Sequence, residues 1–342
     1  MALVSELRDQ LDRPITDLRI SVTDRCNFRC TFCMPAEQEY EFLRREEILD
    51  YEEVTRLARV FVSLGVEKIR LTGGEPLIRR DLTLFVEMLR EIPGIRDLAL
   101  TTNGMLLPRR AEELAEAGVD RVTVSLPTLD PETFTRTSGG RGDLHRVLEG
   151  IEAAIDAGLV PVKINAVILR DVNDHEILEM AERFRRPDTI LRFIEYMDVG
   201  TLNRWDPSKV VPAREIRDRI EEVHPLEPIG RRRPQDPATR YRYRDGEGQI
   251  GIIASVTEPF CGDCTRARLS AEGSLYTCLF ASEGHDLKTP LRSGATDEEL
   301  GELLREIWSS RTDRYSEERL VHLETGRDLP ERERVEMFRV GG

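Results

Sequence analysis

Short apolar runs alternate with amphipathic stretches along residues 18–196. The apolar runs predict six strands, at Leu18–Val22, Lys68–Leu71, Asp97–Thr101, Arg121–Ser125, Val160–Ile168 and Ile190–Tyr196. The stretches between them predict helices, at Tyr51–Leu64, Asp81–Glu91, Arg109–Ala117, Leu144–Ala157 and Asp174–Phe184 among others. Six successive strand–helix units predict a parallel sheet with right-handed crossovers, either a partial barrel or a doubly wound sheet.

Polar and glycine-rich sequence follows most of the predicted strands. The segments are Cys26–Cys33, Thr72-Gly73-Gly74-Glu75-Pro76, Thr101-Thr102-Asn103-Gly104, Ser125 and Glu195-Tyr196-Met197. Active sites of β/α barrels assemble at the carboxyl ends of the strands. We therefore favour an α/β fold with a partial (β/α)6 TIM-like barrel.

After residue 200 the pattern predicts a smaller α+β C-terminal module. Its elements are a helix at Pro212–Val223, short strands at Tyr241–Arg244, Gln249–Val256, Ala267–Ser270 and Leu275–Cys278, and a helix at Thr296–Ser309. We expect residues 1–200 to form the barrel and residues 201–342 to form a module that closes it. The run Arg231–Arg233 lies in a turn-rich segment and is interpreted as a solvated loop.

Composition narrows the class of protein. The 342 residues are enough for about two domains, and 39% hydrophobic with 33% charged residues is typical of a globular chain. A formal charge of −14 argues against non-specific nucleic-acid binding. No apolar run approaches the ~18 residues of a membrane-spanning helix, and the first residues lack an apolar signal core. We expect a cytoplasmic protein without nucleic-acid or membrane partners.

The six cysteines fall into two groups of three. They are Cys26, Cys30 and Cys33, then Cys261, Cys264 and Cys278. Because a cytosolic chain keeps its cysteines reduced, this grouping indicates a metal rather than disulfides. Structural zinc and electron-carrying cubane clusters normally take four protein ligands, so three cysteines leave one iron open to a small molecule. The first spacing favours such a cluster, whereas the second group alone fits zinc with a borrowed histidine equally well.

Larger motifs resemble a known family. The first cysteine group with Gly73-Gly74-Glu75-Pro76 resembles the radical S-adenosylmethionine superfamily. Further motifs are similar to the GTP 3′,8-cyclase family, also called molybdenum cofactor biosynthesis protein A, over nearly the whole chain. They are Asp24–Cys30, Phe193–Gly200, Pro259–Cys264, Arg266–Ser270 and the terminal Gly341-Gly342.

The resemblance implies a lyase that converts GTP to (8S)-3′,8-cyclo-7,8-dihydroguanosine 5′-triphosphate, the first step of molybdenum cofactor biosynthesis. It implies a [4Fe–4S] cluster on each cysteine group, the first binding S-adenosylmethionine and the second meeting guanine. Implied S-adenosylmethionine contacts are Phe32, Gly74, Ser125 and Met197. Implied GTP contacts are Arg19, Arg70, Thr101, Lys163, Arg266, Ala267 and Arg268, with Lys68 and Arg192 as further phosphate candidates. Implied partners are an electron donor, the next enzyme of molybdopterin synthesis and a second copy of the chain in a homodimer.

The placement of charged residues in the sequence supports an anionic substrate without reference to the family resemblance. Only four of the 50 basic residues are lysines, and Lys163 lies among apolar residues of a predicted strand. By the two-residue period of a strand it shares a face with Asn165. A buried, unpaired ammonium is costly, so we expect Lys163 to meet an anion. No side chain is assigned as catalytic, although Gly341 and Gly342 are candidates for a thin tail that enters a crowded pocket.

Two rival interpretations remain at this stage. One is a radical S-adenosylmethionine enzyme with another substrate, such as a peptide; Arg266, Arg268 and the glycine terminus argue against it. The other is a zinc-binding module without catalysis. Some positions depart from the family pattern: Phe32 stands where tyrosine is common, and Pro127 replaces a frequent aspartate.

Overall fold

The computed structural model describes residues 7–327 and 333–341. Within them one sheet contains twelve strands. The strands are β1 Asp17–Ser21, β2 Lys68–Thr72, β3 Asp97–Thr102, β4 Arg121–Ser125, β5 Val162–Ile168, β6 Thr189–Glu195, β7 Leu226–Gly230, β8 Thr239–Tyr243, β9 Gln249–Ile253, β10 Arg266–Leu269, β11 Ser274–Tyr276 and β12 His285–Asp286. Their order across the sheet is β12-β11-β10-β1-β2-β3-β4-β5-β6-β9-β8-β7.

The α-helices in the described residues mostly connect or cover these strands. They are α1 Tyr51–Ser63, α2 Leu82–Arg90, α3 Ala111–Ala117, α4 Pro131–Thr137, α5 Leu144–Asp156, α6 Ile177–Arg183, α7 Ala213–Glu221, α8 Lys288–Arg292, α9 Asp297–Ser309, α10 Tyr315–Thr325 and α11 Met337–Val340. None of the helices in this part of the chain is long and apolar enough to cross a membrane.

The first six strands are parallel and adjacent in chain order, which confirms the predicted partial barrel. The helices between them form for local reasons, as α1 shows. Asp50 caps α1 and forms a capping box with Glu53, and the apolar face that includes Leu57 and Phe61 is buried. The core lies between such helix faces and the outward-facing side chains of the strands.

Two strands of the C-terminal part lie at opposite edges of this barrel. β9 pairs parallel with β6, and β10 pairs parallel with β1. Because β9 and β10 are consecutive along the chain, residues 254–265 bridge the two edges. This bridge supports the expectation that the C-terminal module closes the barrel. That role and the domain division at residue 200 stay predictions.

Some elements carry weak sequence signals and were not predicted. α10 buries Ser316 and Arg319 rather than an apolar stripe, so its periodicity is hidden. The short, threonine-rich α4 begins with a detectable cap, since the Asp130 carboxylate accepts from the Thr133 N–H at 2.6 Å. β7 is only five residues long and mostly exposed.

Candidate active site

A cavity of about 250 Å³ lies inside the barrel. Its wall is formed by inward-facing side chains of the parallel strands, and Phe260 of the bridging segment borders it. Of the described residues, twelve arginines and lysines but only three aspartates line it. Since the whole chain carries a formal charge of −14, the basic residues are strongly concentrated here. Such a cavity attracts an anion.

The first cysteine loop follows β1 and is closed by its own backbone. The N–H groups of Cys33 and Met34 donate to the Cys30 carbonyl at 3.0 and 2.8 Å, and the Phe28 N–H donates to Cys26 Sγ at 3.4 Å. Burial raises the pKa of Cys26 to about 11 and that of Cys30 to about 12. Such thiols ionise when a metal centre supplies positive charge, so this donor set fits an iron–sulfur cluster.

Gly73 and Gly74 allow the loop after β2 to run directly against the first cysteine loop. The Gly74 N–H donates to the Thr23 carbonyl at 2.7 Å, and the Glu75 N–H donates to the Arg25 carbonyl at 2.8 Å. A Cβ on Gly74 would lie 2.1 Å from the Arg25 oxygen, and one on Gly73 would lie 2.4 Å from the Thr23 oxygen. Larger residues would therefore separate the two loops.

The buried Glu75 carboxylate joins three loops at this end of the barrel. It accepts from the Leu77 N–H at 3.1 Å, the Thr102 hydroxyl at 2.7 Å and the Asn103 N–H at 2.7 Å. The Asn103 amide in turn donates to Asn27 Oδ1 at 2.8 Å, inside the first cysteine loop. Burial raises the pKa of Glu75 to about 7 despite these donors. Glu75 is therefore a positioning residue for the loop.

The four residues implied for S-adenosylmethionine lie at the carboxyl ends of the strands. Phe32 is half-buried in the first cysteine loop, Gly74 follows β2, Ser125 ends β4 and Met197 follows β6. Met197 also borders the cavity. The residues implied for cofactor binding therefore lie at the carboxyl end of the barrel, next to its basic cavity.

Six of the seven residues implied for GTP line the cavity. They are Arg19, Arg70, Thr101, Lys163, Arg266 and Arg268. The side chain of Ala267 is fully buried on the opposite face of β10, because successive strand residues alternate. Only its backbone is available to a ligand in the barrel.

Lys163 has the environment that the sequence predicted. It alternates with the buried Val162 and Ile164, and in the described part of the chain it has no hydrogen bond or ion pair. Burial and the charges of nearby basic groups, first among them Arg192, lower the pKa of Lys163 to about 6. An anion in the cavity would restore the ammonium. In contrast, Lys68 already pairs with Asp17 at 2.7 Å.

The second cysteine group opens directly into this cavity. Cys261, Cys264 and Cys278 all line it. The Arg266 guanidinium donates to Cys264 Sγ from Nε at 3.3 Å and from Nη2 at 3.2 Å. Burial opposes ionisation of Cys264, but Arg266 and Arg311 outweigh it and lower the thiol pKa to about 6. A thiolate facing an anion-binding cavity fits a cluster with one open position.

Two buried arginines that sequence reasoning missed hold this second group. Arg13 donates to the Cys261 carbonyl at 2.8 Å, and Arg311 donates to the Cys264 carbonyl at 2.7 Å. Both pair with the buried Asp9 carboxylate, at 2.6 and 3.3 Å. Asp9 and Arg13 are only four positions apart, but Arg311 lies 302 positions after Asp9, so the complete network has no local signal.

In residues 7–327 and 333–341, no three histidine, cysteine, aspartate or glutamate side chains are placed to hold a single ion.

The C-terminal tail reaches the barrel beside the end of β2. A Cβ on Gly341 would lie 2.0 Å from Thr72 Cγ2, so glycine is required there. The Arg268 guanidinium donates to the Val340 carbonyl at 3.3 Å and also to the Gly341 carbonyl. Gly342 lies outside the described residues.

Ionic contacts fix the segment before this tail to the loop that follows β6. Arg319 and Arg334 both pair with the buried Asp198, the latter at 3.0 Å. The Glu336 carboxylate accepts from the Thr201 N–H at 2.8 Å. The tail is therefore anchored close to Met197.

The structure places Arg231–Arg233 in a loop where Arg232 and Arg233 are exposed, as the solvated-loop interpretation expects. The loop also has contacts that the sequence did not show. Arg232 borders the cavity, Arg231 pairs with Asp263 at 3.4 Å, and Arg233 pairs with Glu67 at 2.9 Å. The sequence shows a run of charge but not these partners, which lie far along the chain. Arg121 was also missed, although it shares the inward face of β4 with Ser125 by the two-residue period.

Comparison with known proteins decides the family. Residues 20–184 match the Radical SAM superfamily, and residues 189–317 match Molybdenum Cofactor Synthesis C. A GTP 3′,8-cyclase of Acidothermus cellulolyticus is 53% identical over 95% of this chain and 92% of its own. One of Aquifex aeolicus is 47% identical over 98% of this chain and 100% of its own. The chain belongs to the GTP 3′,8-cyclase family. The expected enzyme class, a radical S-adenosylmethionine enzyme of molybdenum cofactor biosynthesis, is thereby confirmed.

Solved structures confirm the fold of this family member. Streptococcus suis SuiB bound to S-adenosylmethionine aligns with a TM-score of 0.61 at 17% identity, over 86% of this chain and 69% of that one. SuiB bound to its precursor peptide SuiA aligns with a TM-score of 0.60, also at 17% identity, over 89% of this chain and 70% of that one. At this identity the likeness concerns the fold alone.

Proposed function

We propose that this chain converts GTP to (8S)-3′,8-cyclo-7,8-dihydroguanosine 5′-triphosphate, with the nucleotide bound between the two cysteine groups. The observation that carries the proposal is the shared cavity. Its wall holds the second cysteine group, a set of basic strand residues and Met197 from the cofactor end. A triphosphate supplies the negative charge that this wall requires, and a guanine base reaches the second cysteine group.

At the carboxyl ends of the barrel strands, Cys26, Cys30 and Cys33 hold a [4Fe–4S] cluster. S-adenosylmethionine contacts Phe32, Gly74, Ser125 and Met197 at the same end. When bound, cluster and cofactor supply the 5′-deoxyadenosyl radical that takes the 3′ hydrogen of GTP. The chain's own residues supply geometry. The Glu75 hydrogen bonds fix the loops after β2 and β3 against the cysteine loop, so the cofactor end is pre-organised.

Around GTP, arginine and lysine side chains bind and orient the triphosphate. Arg70 is held for this by bonds to the hydroxyls of Thr101 at 3.0 Å and Thr123 at 3.1 Å, which leave the rest of its fork for a phosphate. Lys163 places a point charge next to it. Arg19, Arg266, the Ala267 backbone and Arg268 complete the contacts.

Cys261, Cys264 and Cys278 hold a second [4Fe–4S] cluster whose open position faces guanine. The bonds from Arg266 to Cys264 Sγ favour the thiolate that such a cluster needs. Gly341 lies against Thr72 at the end of β2 and excludes water from that space. An external electron donor, transfer of product to the next enzyme, a homodimer and a cytoplasmic location are part of the same proposal.

The deciding experiment separates the two cysteine groups. Replacing Cys261, Cys264 and Cys278 together by serine should remove about half of the iron, if each group holds one cubane. The variant should still cleave S-adenosylmethionine under dithionite, but it should not move deuterium from 3′-deuterated GTP into 5′-deoxyadenosine. The reciprocal control, serine at Cys26, Cys30 and Cys33, should keep the other half of the iron and cleave nothing. Deuterium transfer by the first variant would refute the assignment of GTP to the second group.

A further inference from the structure

The loop that contains Arg231–Arg233 crosses the end of the barrel opposite the first cysteine loop. Arg233 pairs with Glu67, which directly precedes β2, and Arg231 pairs with Asp263, which lies shortly before β10. Arg231 also lies over the Phe260 ring, 5.5 Å from its centroid. Both attachment points are therefore at the amino ends of parallel strands.

Between these two attachments Arg232 is exposed to solvent and also borders the cavity. In the described residues it makes no hydrogen bond or ion pair of its own. Asp236, in the same loop, lies close enough to Arg192 for its charge to oppose the effect of burial on the Arg192 pKa. The loop thus covers the part of the wall formed by β6 and its neighbours.

The wall beneath the loop has basic groups with unused donors. Arg121 Nη1 and Arg192 Nε are buried without a hydrogen-bond partner. The partly buried Lys163 makes no hydrogen bond or ion pair in the described part of the chain. Buried donors without partners are rare in folded proteins, so this group indicates a missing anion. The guanine end of the nucleotide is assigned to the cysteine group, so the phosphates lie here.

We propose that residues 230–238 form a cap over the phosphate end of GTP, and that Arg232 binds the terminal phosphate. This rests on the proposed function, since it requires GTP in the cavity. With Arg232 on the terminal phosphate, the cap makes the enzyme selective for the triphosphate, because a diphosphate lacks that phosphate. Two exposed ion pairs hold the cap, and such pairs are weak, so it opens readily to admit the nucleotide.

Selectivity is the first test. Anaerobic calorimetry on the protein with both clusters and without S-adenosylmethionine gives the Kd of GTP and of GDP. Arg232→Gln should weaken GTP binding at least roughly tenfold, as expected for a lost charge-assisted contact, and leave GDP binding unchanged. The matched control is Arg244→Gln, an exposed arginine just after β8 that does not line the cavity. It should change neither Kd.

The second test addresses closure of the cap through stopped-flow dissociation of a fluorescent GTP analogue. Arg233→Glu and Glu67→Arg should each speed dissociation. The double variant re-forms the ion pair with reversed charges, but Glu67 also pairs with Arg96 at 2.9 Å, so it should restore the slower rate only in part. Equal losses for GTP and GDP in Arg232→Gln, or no loss, would overturn the assignment of Arg232. Unchanged dissociation in the single variants would overturn the cap. If the wild type binds neither nucleotide, the proposed function itself fails.

Discussion

We expect Lys163 to couple GTP binding to pH. In the free protein its pKa is about 6, so it is largely neutral above pH 7. A triphosphate beside it favours the ammonium, and binding then takes up one proton. Because the protonated form binds, affinity should fall as pH rises above 6, until the pKa of the complex is reached. In that window each pH unit costs about 1.4 kcal/mol, or tenfold in Kd.

The assay is anaerobic calorimetry with GTP at pH 7.0, 7.5 and 8.0 in buffers of different ionisation enthalpy. The wild type should lose about tenfold in affinity over this unit and show uptake of nearly one proton. Lys163→Gln should bind at least tenfold more weakly at pH 7, since a charge-assisted contact is worth about 1.5–3 kcal/mol. The pH dependence of affinity that remains in this variant comes from ionisation of the nucleotide and of other groups in the protein. Equal slopes in the two proteins would show that Lys163 does not meet the phosphates.

Three further perturbations test other parts of the site. Cys30→Ser should abolish reductive cleavage of S-adenosylmethionine; formation of 5′-deoxyadenosine under dithionite at the wild-type rate would contradict the first cluster site. Deletion of Gly341 and Gly342 should preserve iron content and GTP affinity but reduce cyclised product, and full cyclase activity would show that the tail is incidental. Arg319→Met removes one partner of the buried Asp198, which keeps Arg334 and Tyr315, so denaturant unfolding should show a loss of about 1–3 kcal/mol, whereas an unchanged free energy of unfolding would mean that the pair is not structural.

The alternation of apolar and polar residues was sufficient to predict the barrel strands and the inward face of β5. The period of two that pairs Lys163 with Asn165 needs no tertiary information. The network of Asp9, Arg13 and Arg311 could not be predicted in this way, because its members meet only when the two ends of the chain pack together. The sequence likewise placed Gly74 in the loop after β2, but it could not show that Gly74 approaches the backbone of Arg25, because this contact forms only in the folded protein.

Arg231–Arg233 shows a different limit. A run of like charge is usually solvated, and neither Glu67 nor Asp263 is near it in sequence. The position of this loop depends on the strand order, which places β7 and β8 beside β9 and so beside the opening of the barrel.

The bridge between β9 and β10 also limits how this protein can be divided. Removing everything after β6 would leave β1 and β6 as bare strands, each with unpaired N–H and carbonyl groups that invite aggregation. The N-terminal half, which contains the first cysteine group, therefore depends on the C-terminal half for its solubility. A fragment that generates radicals without a nucleotide site would be a poorly behaved protein, so sequence exchange between family members should succeed for whole chains more readily than for halves.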